Sequence, residues 1–575
     1  MNIKYKKILS VMLCFTLIFT LSACSQNTDS QKFVVPTENS NSAESESPLN
    51  MSIKLSDLIT YDEDDYYTNY QDENPNYIKL NGTEISFEGN GAIVDNGTIT
   101  INQAGTYVVS GKLDDGQIIV NESNDGVVKL ILNNADINCS YSSPIYVINS
   151  NKTVISLVEG TENTVTDGIT YTNVDETTSE PNSAIFSKSN LTITGSGTLN
   201  VNGNYNNGIT SKDDLKITDG NINIISTDDG LMGRDMVAVK SGNIKINSIG
   251  HGIKSTNDED TTKGYIVLEN GIYNITSGAD SIHAQTSLYI VDGEYTLTSD
   301  DDGIHADTSI EIASGNIDIT KSYEGIESSE ITISGGEINI IASDDGINVA
   351  GGNDGSAING RPDQSTFSEN DNSKLNINGG IILVNAEGDG LDSNGSIYMT
   401  KGNVTVLGPI SNGNGALDYD GEFNITGGTL ISAGSSGMAQ GPSDSSTQNS
   451  VVIKYSVIQN AGTPVIIKNA AGNTIFTFAP TKEFQTVVLS SPDLLINETY
   501  SLYSDDLNSA DFTLTENSTW ISETGEAVSK GGGFGGTKGG GMRPDKPQGE
   551  FPKVEGQTPP DGTSSSTPSS TGEDI

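Results

Sequence analysis

The chain of 575 residues is strongly acidic, with 76 aspartates and glutamates against 29 lysines and arginines and a formal net charge of −47. This charge argues against a nucleic-acid ligand, which requires a basic surface. It indicates instead a heavily solvated surface, bound divalent cations, or both.

Residues 1–23 have the three parts of a secretory signal peptide. Lysines stand at positions 4, 6 and 7, an apolar stretch covers residues 8–21, and small residues precede Cys24. The stretch is too short and too early for an ordinary membrane-spanning helix. Residues 21–24 read Leu-Ser-Ala-Cys, which resembles a bacterial lipobox and implies cleavage before Cys24 and lipidation of its thiol. We therefore expect an exported protein that is lipid-anchored to the cell membrane and faces the cell surface. The alternative is a plain signal peptide with a chance cysteine.

Residues 24–75 are predicted to form a lipid-anchored, disordered tether. The stretch after Cys24 is rich in Ser, Asn and Glu and poor in aromatic residues, so it cannot bury enough apolar surface to fold. After cleavage and lipidation Cys139 has no cysteine partner, which excludes a disulfide framework and favours a small buried hydrophobe.

A repeat occupies the chain from about residue 184 to residue 440. Each copy reads apolar-x-apolar, a turn that closes on Gly, apolar-x-apolar, then Asp-Gly and an apolar residue. The first apolar pair runs Leu215/Ile217, Val237/Val239, Ile266/Leu268, Leu288/Ile290, Ile310/Ile312, Ile331/Ile333, Leu375/Ile377, Ile397/Met399, Phe423/Ile425. The second pair runs Ile222/Ile224, Ile244/Ile246, Tyr273/Ile275, Tyr295/Leu297, Ile317/Ile319, Ile338/Ile340, Ile382/Val384, Val404/Val406. Most steps are 21 or 22 residues, and the exceptions carry insertions near residues 258–260 and across residues 351–372.

This period predicts an all-β, right-handed parallel β-helix of about 22 residues per coil over residues 76–440. Alternation with period two indicates strands, and short strands between Gly turns leave no room for the helices of βαβ units. The period is too short for a four-stranded propeller blade, and a sandwich would not repeat so regularly. The right hand follows from the general handedness of parallel crossovers.

The two ends of the repeat region are expected to differ from its middle. Alternating stretches between residues 76 and 168 predict irregular first coils and a cap. Residues 451–524 are rich in strand signals without the period, which predicts a small C-terminal β unit that covers the open end. Residues 530–575 are rich in Gly, Pro and Ser and are predicted to be a disordered tail.

One position of the repeat is acidic in most copies. The residue before the Gly, or its equivalent, at the last turn is in succession Asn207, Asp229, His251, Asp280, Asp302, Glu324, Asp345, Asp389, Gly415. Equivalent positions of successive coils lie about 4.8 Å apart, where two carboxylates repel by several kcal/mol at an effective dielectric near ~20. Calcium, a hard cation with flexible oxygen coordination, would neutralise this column better than magnesium.

The candidate calcium ligands are therefore Asp229, Asp280, Asp302, Glu324, Asp345, Asp389. His251 interrupts the acidic run and offers no hard oxygen ligand. The alternative is that aspartate simply favours Asp-Gly turns and faces solvent. His283 and His305 fall at equivalent positions and are expected to stack, as neutral surface imidazoles rather than as a transition-metal site.

Several strings resemble a family of bacterial surface carbohydrate-binding proteins. They are residues 102–111 (NQAGTYVVSG), 129–137 (KLILNNADI), 158–163 (VEGTEN), 186–193 (FSKSNLTI), 211–215 (SKDDL) and 233–235 (GRD). The similarity covers nearly everything from about residue 76 to residue 524. It implies a pectate-lyase-like right-handed β-helix, bound calcium, and binding to cellulose and to acidic polysaccharide such as polygalacturonate. The family usually carries Asp-Gly where this chain has His251-Gly252.

The sequence thus favours a monomeric, non-catalytic polysaccharide-binding protein in which calcium bridges an acidic protein and an acidic polymer. Aromatic sugar platforms are sparse, since Trp520 is the single tryptophan. One alternative is a calcium-dependent polysaccharide lyase, whose base would be drawn from Lys212, Arg234 and Lys254 near one edge of the column. Another is a structural or adhesive surface protein.

Overall fold

The computed structural model describes residues 51–530 apart from residues 52, 73, 173, 176, 350–372 and 505–506. The predicted signal peptide, Cys24, the C-terminal tail after residue 530 and most of the insertion at 351–372 lie outside the described residues. The described chain is all-β, with a short α-helix α1 at Leu55–Leu58 and two 3-10 turns at Glu63–Tyr66 and Tyr70–Asp72. These helical turns are too short to cross a bilayer.

The first strands precede the regular repeat. They are β1 Asn76–Gly82, β2 Glu84–Glu88, β3 Ala92–Asp95, β4 Thr98–Ile101, β5 Gly105–Leu113, β6 Gln117–Asn121, β7 Val127–Cys139, β8 Ile145–Asn149, β9 Lys152–Leu157 and β10 Glu162–Asp167. Two antiparallel hairpins, β1–β2 and β3–β4, open the sheet, and the later strands pair in parallel. This arrangement agrees with the irregular start predicted from the sequence.

The repeat region contributes three short strands per copy. They are β11 Ser183–Ser187, β12 Asn190–Thr194, β13 Thr198–Gly203, β14 Asn207–Ser211, β15 Asp214–Ile217, β16 Asn221–Ser226, β17 Leu231–Gly233, β18 Met236–Val239, β19 Asn243–Ser248, β20 Ile253–Ser255, β21 Tyr265–Leu268, β22 Ile272–Ser277, β23 Ile282–Ala284, β24 Ser287–Ile290 and β25 Glu294–Ser299. They continue as β26 Ile304–Ile312, β27 Asn316–Ser322, β28 Ile326–Ile333, β29 Glu337–Ala342, β30 Ile347–Val349, β31 Lys374–Ile377, β32 Ile381–Ala386, β33 Leu391–Ser393, β34 Ser396–Met399, β35 Asn403–Leu407, β36 Leu417–Tyr419, β37 Phe423–Ile425 and β38 Thr429–Gly434.

Strands of successive repeats pair in parallel, so that three ladders run along one long sheet. In the first ladder Leu215 pairs with Val237, which in turn pairs with Ile266. In the second, Ile222 pairs with Ile244. The third ladder comprises the short strands that follow the Asp-Gly turn, such as β17, β20 and β23. The predicted register of the apolar pairs is therefore confirmed, and their side chains form one continuous buried core.

The glycine after the acidic turn position is required by close packing between repeats. A methyl group on Gly230 would lie 2.6 Å from the carbonyl oxygen of Gly252, and one on Gly303 would lie 2.6 Å from that of Gly325. Side chains larger than hydrogen would therefore force the turns apart, which explains why Asp-Gly recurs at this place.

Part of the segment predicted to be a tether is folded. Ile59 packs with Met236 and Tyr289 on the outside of the sheet. Asp65 is fully buried, and its carboxylate lies 2.8 Å from Lys152 Nζ. The folded region thus begins before residue 76. Ile59 and Asp65 anchor this segment to the strands, one through apolar contacts and the other through the pair with Lys152.

The C-terminal unit contains β39 Ser450–Gln459, β40 Val465–Asn469, β41 Thr474–Phe478, β42 Phe484–Ser490, β43 Thr499–Ser504, β44 Leu507–Thr513 and β45 Ser518–Ser522. β42 pairs antiparallel with β38 and β39, which ends the parallel run of the second ladder. The strands β41, β40, β43 and β44 form a separate antiparallel sheet. A second apolar core, which includes Val487, Phe512 and Ile521, joins this unit to Leu407 and Ala433 of the last repeats.

Candidate metal centre

The acidic positions predicted from the repeat stack on one another, and we call them the turn column. Its members are Asn207, Asp229, His251, Asp280, Asp302, Glu324, Asp345, Asp389 and Gly415. Backbone bonds fix the stacking, for example from Gly230 N to His251 O at 2.9 Å and from Gly303 N to Glu324 O at 3.0 Å. The side chains in the middle of the column are covered, since Asp280 and Asp302 are each 5% exposed and Glu324 is 1% exposed.

Each of several turn carboxylates also accepts a hydrogen bond from the next repeat. The backbone amide of His251 donates to Asp229 Oδ1 at 2.9 Å, and that of Asp302 donates to Asp280 Oδ1 at 3.0 Å. The amide of Glu324 donates to Asp302 Oδ1 at 3.2 Å. One oxygen of each such carboxylate is therefore structural, and the other is available to further partners.

A second line of polar side chains runs beside the turn column, and we call it the strand column. It consists of the residues three positions further along the chain: Met232, Lys254, His283, His305, Glu327, Asn348, Asp392 and Asp418. These residues are register partners in the third ladder. These residues recur three positions after each turn position, a regularity that is visible in the sequence. The prediction from the sequence covered only the turn position itself.

The first half of the paired columns carries its own positive partners. His251 Nδ1 lies 2.9 Å from Asp229 Oδ1, and Lys254 Nζ lies 3.9 Å from Asp229 Oδ2. His283 Nδ1 lies 2.7 Å from Asp280 Oδ2. Burial alone would raise the pKa of Asp280, but the hydrogen bond and charge of His283 outweigh it and lower that pKa to about 2. Asp229 thus has a cationic neighbour in Lys254, and Asp280 has a hydrogen-bond partner in His283.

The predicted stacking of His283 and His305 is confirmed, with ring centroids 4.8 Å apart and an interplanar angle of 3°. The expectation of neutral surface imidazoles is wrong for His305, which is buried. Burial lowers its pKa, but hydrogen bonds to Asp302, Asp307 and Glu327 outweigh that effect and hold the pKa well above the ordinary value. For His283 burial prevails and lowers the pKa.

The second half of the columns is different, because Glu327, Asn348, Asp392 and Asp418 replace lysine and imidazole there. Oxygens of Asp302, Glu324 and Glu327 lie within 4.8 Å of one another. Burial raises the pKa of the Glu324 carboxyl well above its usual range, and the neighbouring charges of Glu327 and Asp302 add to the effect. We call this group the buried carboxylate trio.

A second group, the outer carboxylate trio, follows one step further. Oxygens of Asp345, Asp389 and Asp392 also lie within 4.8 Å of one another, and these residues are half-buried. Burial raises the pKa of Asp392 well above its usual range, with further contributions from Asp345 and Asp389. The six predicted ligands are therefore brought into one line, but four of them share trios and two, Asp229 and Asp280, have histidine or lysine neighbours instead.

The donor set of the buried carboxylate trio fits a hard divalent cation. Glu327 is 3% exposed and Asn348 is 2% exposed. Among the described residues, their atoms Glu327 Oε1 and Asn348 Oδ1 are buried and accept no hydrogen bond. Asn348 also donates through Nδ2 to Glu324 Oε2 at 2.8 Å, which places its amide at the trio. Buried acceptors without donors are costly, and carboxylate and amide oxygens are the ligands that calcium prefers.

The basic residues considered for lyase chemistry have acidic neighbours. Lys212 Nζ lies 3.0 Å from Glu180, and Arg234 pairs with Asp235 and Glu259. Lys254 belongs to the strand column beside Asp229, whereas Lys212 and Arg234 follow the paired residues of β14 and β17. The three side chains therefore do not form one edge.

Comparison with known proteins gives a match for the middle of the chain. Residues 95–346 match the model of a family described as "Carbohydrate-binding domain-containing protein". This segment is similar to a family of carbohydrate-binding domains. It contains the buried carboxylate trio and the histidines, whereas Asp389 and Asp392 lie beyond it.

A protein of the same description from Acetivibrio thermocellus is 39% identical over 134 residues, which are 23% of this chain and 47% of that relative. The chain thus spans about half the length of the curated relative that it matches. A solved structure described as a polysaccharide lyase-like protein from C. thermocellum, a gadolinium derivative, is 30% identical and covers 44% of this chain and 96% of its own, with a TM-score of 0.38.

Proposed function

We propose that this protein binds acidic polysaccharide, such as polygalacturonate, through calcium ions held on the second half of the paired columns, and that it does not degrade the polymer. The observation that carries the proposal is the buried carboxylate trio of Asp302, Glu324 and Glu327, with the unsatisfied acceptors Glu327 Oε1 and Asn348 Oδ1 beside it. The family match of residues 95–346 supports carbohydrate as the ligand.

The proposal includes the architecture of the long sheet. Three parallel ladders with one strand of each per repeat suit a right-handed parallel β-helix, because parallel crossovers are almost always right-handed. Such a helix presents its turn column and strand column as two adjacent lines along one side. An extended polymer could then follow the lines over several repeats.

Calcium would be held by Asp302, Glu324 and Glu327, and by Asp345, Asp389 and Asp392. When bound it supplies positive charge to a surface that otherwise repels uronate carboxylates. Residues of the outer carboxylate trio are half-buried and therefore reachable by a ligand from solvent, which suits them for contact with the polymer.

Trp520 and Tyr205 are poorly placed to bind a sugar by aromatic stacking. Trp520 is buried at the end of the main core, and Tyr205 is covered by Tyr171, whose ring lies 4.0 Å away and nearly parallel. Both rings therefore serve packing. A charge-based mode of binding is consistent with these positions.

The proposal of a non-enzyme is supported by the pairing of the candidate bases. Removal of the proton next to a uronate carboxylate needs a basic side chain that is free to accept it. Lys212 and Arg234 are engaged with Glu180, Asp235 and Glu259 instead. We further propose that the mature chain is monomeric and attached to the membrane through lipid on Cys24.

The experiment is a pull-down of the purified protein on immobilised polygalacturonate, with calcium, with magnesium, and with excess chelator. Binding should require calcium, and ultraviolet absorbance of unsaturated product should stay at background over a long incubation. A second arm with cellulose tests the neutral polymer that the sequence resemblance implies. Calcium-independent binding would contradict the bridging role, and enzyme-dependent product that is lost in Lys212→Ala or Arg234→Ala would place the protein among lyases.

A further inference from the structure

The chain has three histidines, and all three stand on the paired columns as a stack. His251 belongs to the turn column, while His283 and His305 belong to the strand column. Ligand atoms of His251, Asp280 and His283 lie within 4.8 Å of one another. We propose that these three residues form a second kind of metal site, specific for a borderline divalent ion such as zinc or cobalt and separate from the carboxylate trios.

The distances within this histidine trio suit such an ion. His251 Nε2 lies 3.6 Å from Asp280 Oδ2, and His283 Nδ1 lies 2.7 Å from the same oxygen. A tetrahedral zinc with bonds of about 2.1 Å holds its ligand atoms roughly 3.4 Å apart. The distance from His283 to Asp280 must therefore widen by about 0.7 Å when the ion binds. The two imidazoles and one carboxylate leave a fourth position for water or another ligand.

The neighbours of His251 orient its ring for this role. Its Nδ1 lies 2.9 Å from Asp229 Oδ1, which can only accept, and 3.2 Å from Lys254 Nζ, which can only donate; the shorter contact is a hydrogen bond when the ring donates to Asp229. This leaves Nε2 as the lone-pair nitrogen directed to Asp280. A carboxylate behind a ligating histidine is the usual outer contact of zinc sites, where it fixes the tautomer. Lys254 Nζ also lies on the Nδ1 side, 3.2 Å from that atom, and so does not block Nε2.

The proton balance of binding involves His283. Without metal, its Nδ1 must donate to Asp280 for the same reason as above. An ion at the site replaces that proton, which passes through solvent to Nε2 of the same ring and leaves the imidazole neutral. The Asp280 Oδ2 that accepted the hydrogen bond then becomes a ligand, while Asp280 Oδ1 keeps its bond to the amide of Asp302.

Ligand atoms of His283, His305 and Asp307 also lie within 4.8 Å of one another, but His305 is less suited as a ligand than His251. Its Nδ1 lies 2.7 Å from Glu327 Oε2, and its Nε2 lies 3.2 Å from Asp307 Oδ1, so both nitrogens donate. It is also the most covered of the three, with 10% of its side chain exposed against 20% for His251 and 18% for His283. Solvent access is thus greater at His251 and His283, and each of these two rings has one nitrogen that need not donate to a carboxylate.

The columns then divide by ligand hardness along their length. Imidazole nitrogen suits zinc, cobalt and nickel, whereas carboxylate and amide oxygens suit calcium. His251 offers a nitrogen donor at a position where the neighbouring repeats carry Asp229 and Asp280, and this changes the ion that the repeat can select.

The test is a cobalt titration of untagged, chelator-stripped protein in excess calcium, followed by visible absorption. We expect one saturable equivalent with ligand-field bands, displaced by zinc. His251→Asp and His283→Asn should each weaken cobalt binding at least tenfold, and the matched control His305→Gln should leave it unchanged. His251→Asp is the decisive variant because it adds negative charge, so unspecific attraction of cations would strengthen binding instead.

A measurement on the unsubstituted protein keeps the proposal testable if a variant does not fold. Zinc should shift the imidazole nitrogen resonances of two histidines and leave the third, His305, in place. Retained or stronger cobalt binding in His251→Asp overturns the proposal. So does a zinc shift confined to His305, or the absence of any imidazole shift at saturating zinc.

Discussion

His283 and His305 stack almost in parallel, yet each ring turns its Nδ1 to a different carboxylate: Asp280 for His283 and Glu327 for His305. The two imidazoles therefore mark a boundary in the pKa values of the turn carboxylates. The pKa of Asp280 is lowered, whereas burial raises the pKa of Asp302 and of Glu324, even though His305, whose own pKa is raised, lies beside them.

The raised pKa values on one side of this boundary predict that the metal-free protein becomes less stable as the pH rises. Asp302, Glu324 and His305 all have raised pKa values when folded, so the folded state binds more protons than the unfolded chain. Their contribution to stability is complete below the unfolded pKa and is lost as pH rises through the folded pKa. His283, with a lowered pKa, acts in the opposite sense, whereas the lowered pKa of Asp280 affects stability only at more acidic pH.

We therefore expect the melting temperature in chelator to fall as the pH is raised from about 5 to about 8. The measurement is a series of thermal melts at constant ionic strength. His305→Gln should make the melting temperature less dependent on pH, because it removes one group that binds a proton more tightly in the folded protein than in the unfolded chain. A melting temperature that rises with pH over this range in chelator would show that the raised pKa values do not control stability.

Calcium should reverse that trend. The ion binds the ionised trios of the folded protein and not the unfolded chain, so it stabilises by mass action, by about 2.7 kcal/mol per site at a hundredfold excess over Kd. Because binding displaces protons from Glu324 and Asp392, the gain should grow with pH. Thermal melts with calcium, magnesium and chelator at two pH values measure it. An unchanged melting curve in calcium would contradict a metal on the columns.

A single oxygen-preserving substitution should separate the metal role from packing. Glu327→Gln keeps size but removes one charge of the buried carboxylate trio, so calcium affinity should fall about tenfold, or about 1.4 kcal/mol. Asp302→Asn should act in the same direction. Glu330→Gln, on the exposed face of the same strand β28, is the matched control and should stay within ~0.5 kcal/mol. If calcium stabilises Glu327→Gln and Glu330→Gln equally, the column residues have a structural role in the turns and do not bind the ion.

Much of this arrangement could be predicted from the sequence because the period is strict. Leu215, Val237 and Ile266 recur at fixed distances within the repeat, and their parallel register follows directly. The turn column follows from the same count. The period could not reveal that the turn carboxylates are covered, since burial of Asp302 depends on the strand column beside it, whose residues vary from lysine to aspartate.

Contacts between distant segments were beyond the sequence signal. Composition predicted a tether up to residue 75, but Asp65 meets Lys152 and Thr192, which are 87 and 127 positions away. A polar segment can fold when a buried cation and a hydroxyl elsewhere satisfy its carboxylate. A local count of aromatic and apolar residues carries no information about such partners.

That contact gives the last prediction. Asp65 is fully buried, accepts a hydrogen bond from Thr192 Oγ1 at 2.7 Å, and lies 2.8 Å from Lys152 Nζ, while Lys216 approaches to 3.5 Å. Lys152→Met would leave a buried carboxylate with weaker compensation, and breaking such a pair costs about 3–5 kcal/mol. The loss should show as a lower urea midpoint and as faster proteolysis within residues 53–72.

The exposed pair of Lys112 with Asp136 provides the comparison, since the lysine side chain there is 59% exposed. Lys112→Met should change stability by no more than ~1 kcal/mol. The double substitution of Lys152→Met with Asp65→Leu should recover part of the loss, because it removes the uncompensated charge along with its partner. If Lys152→Met unfolds like Lys112→Met and leaves the segment protected, the N-terminal turns are held by the apolar contacts of Ile59 with Met236 and Tyr289, not by the ion pair.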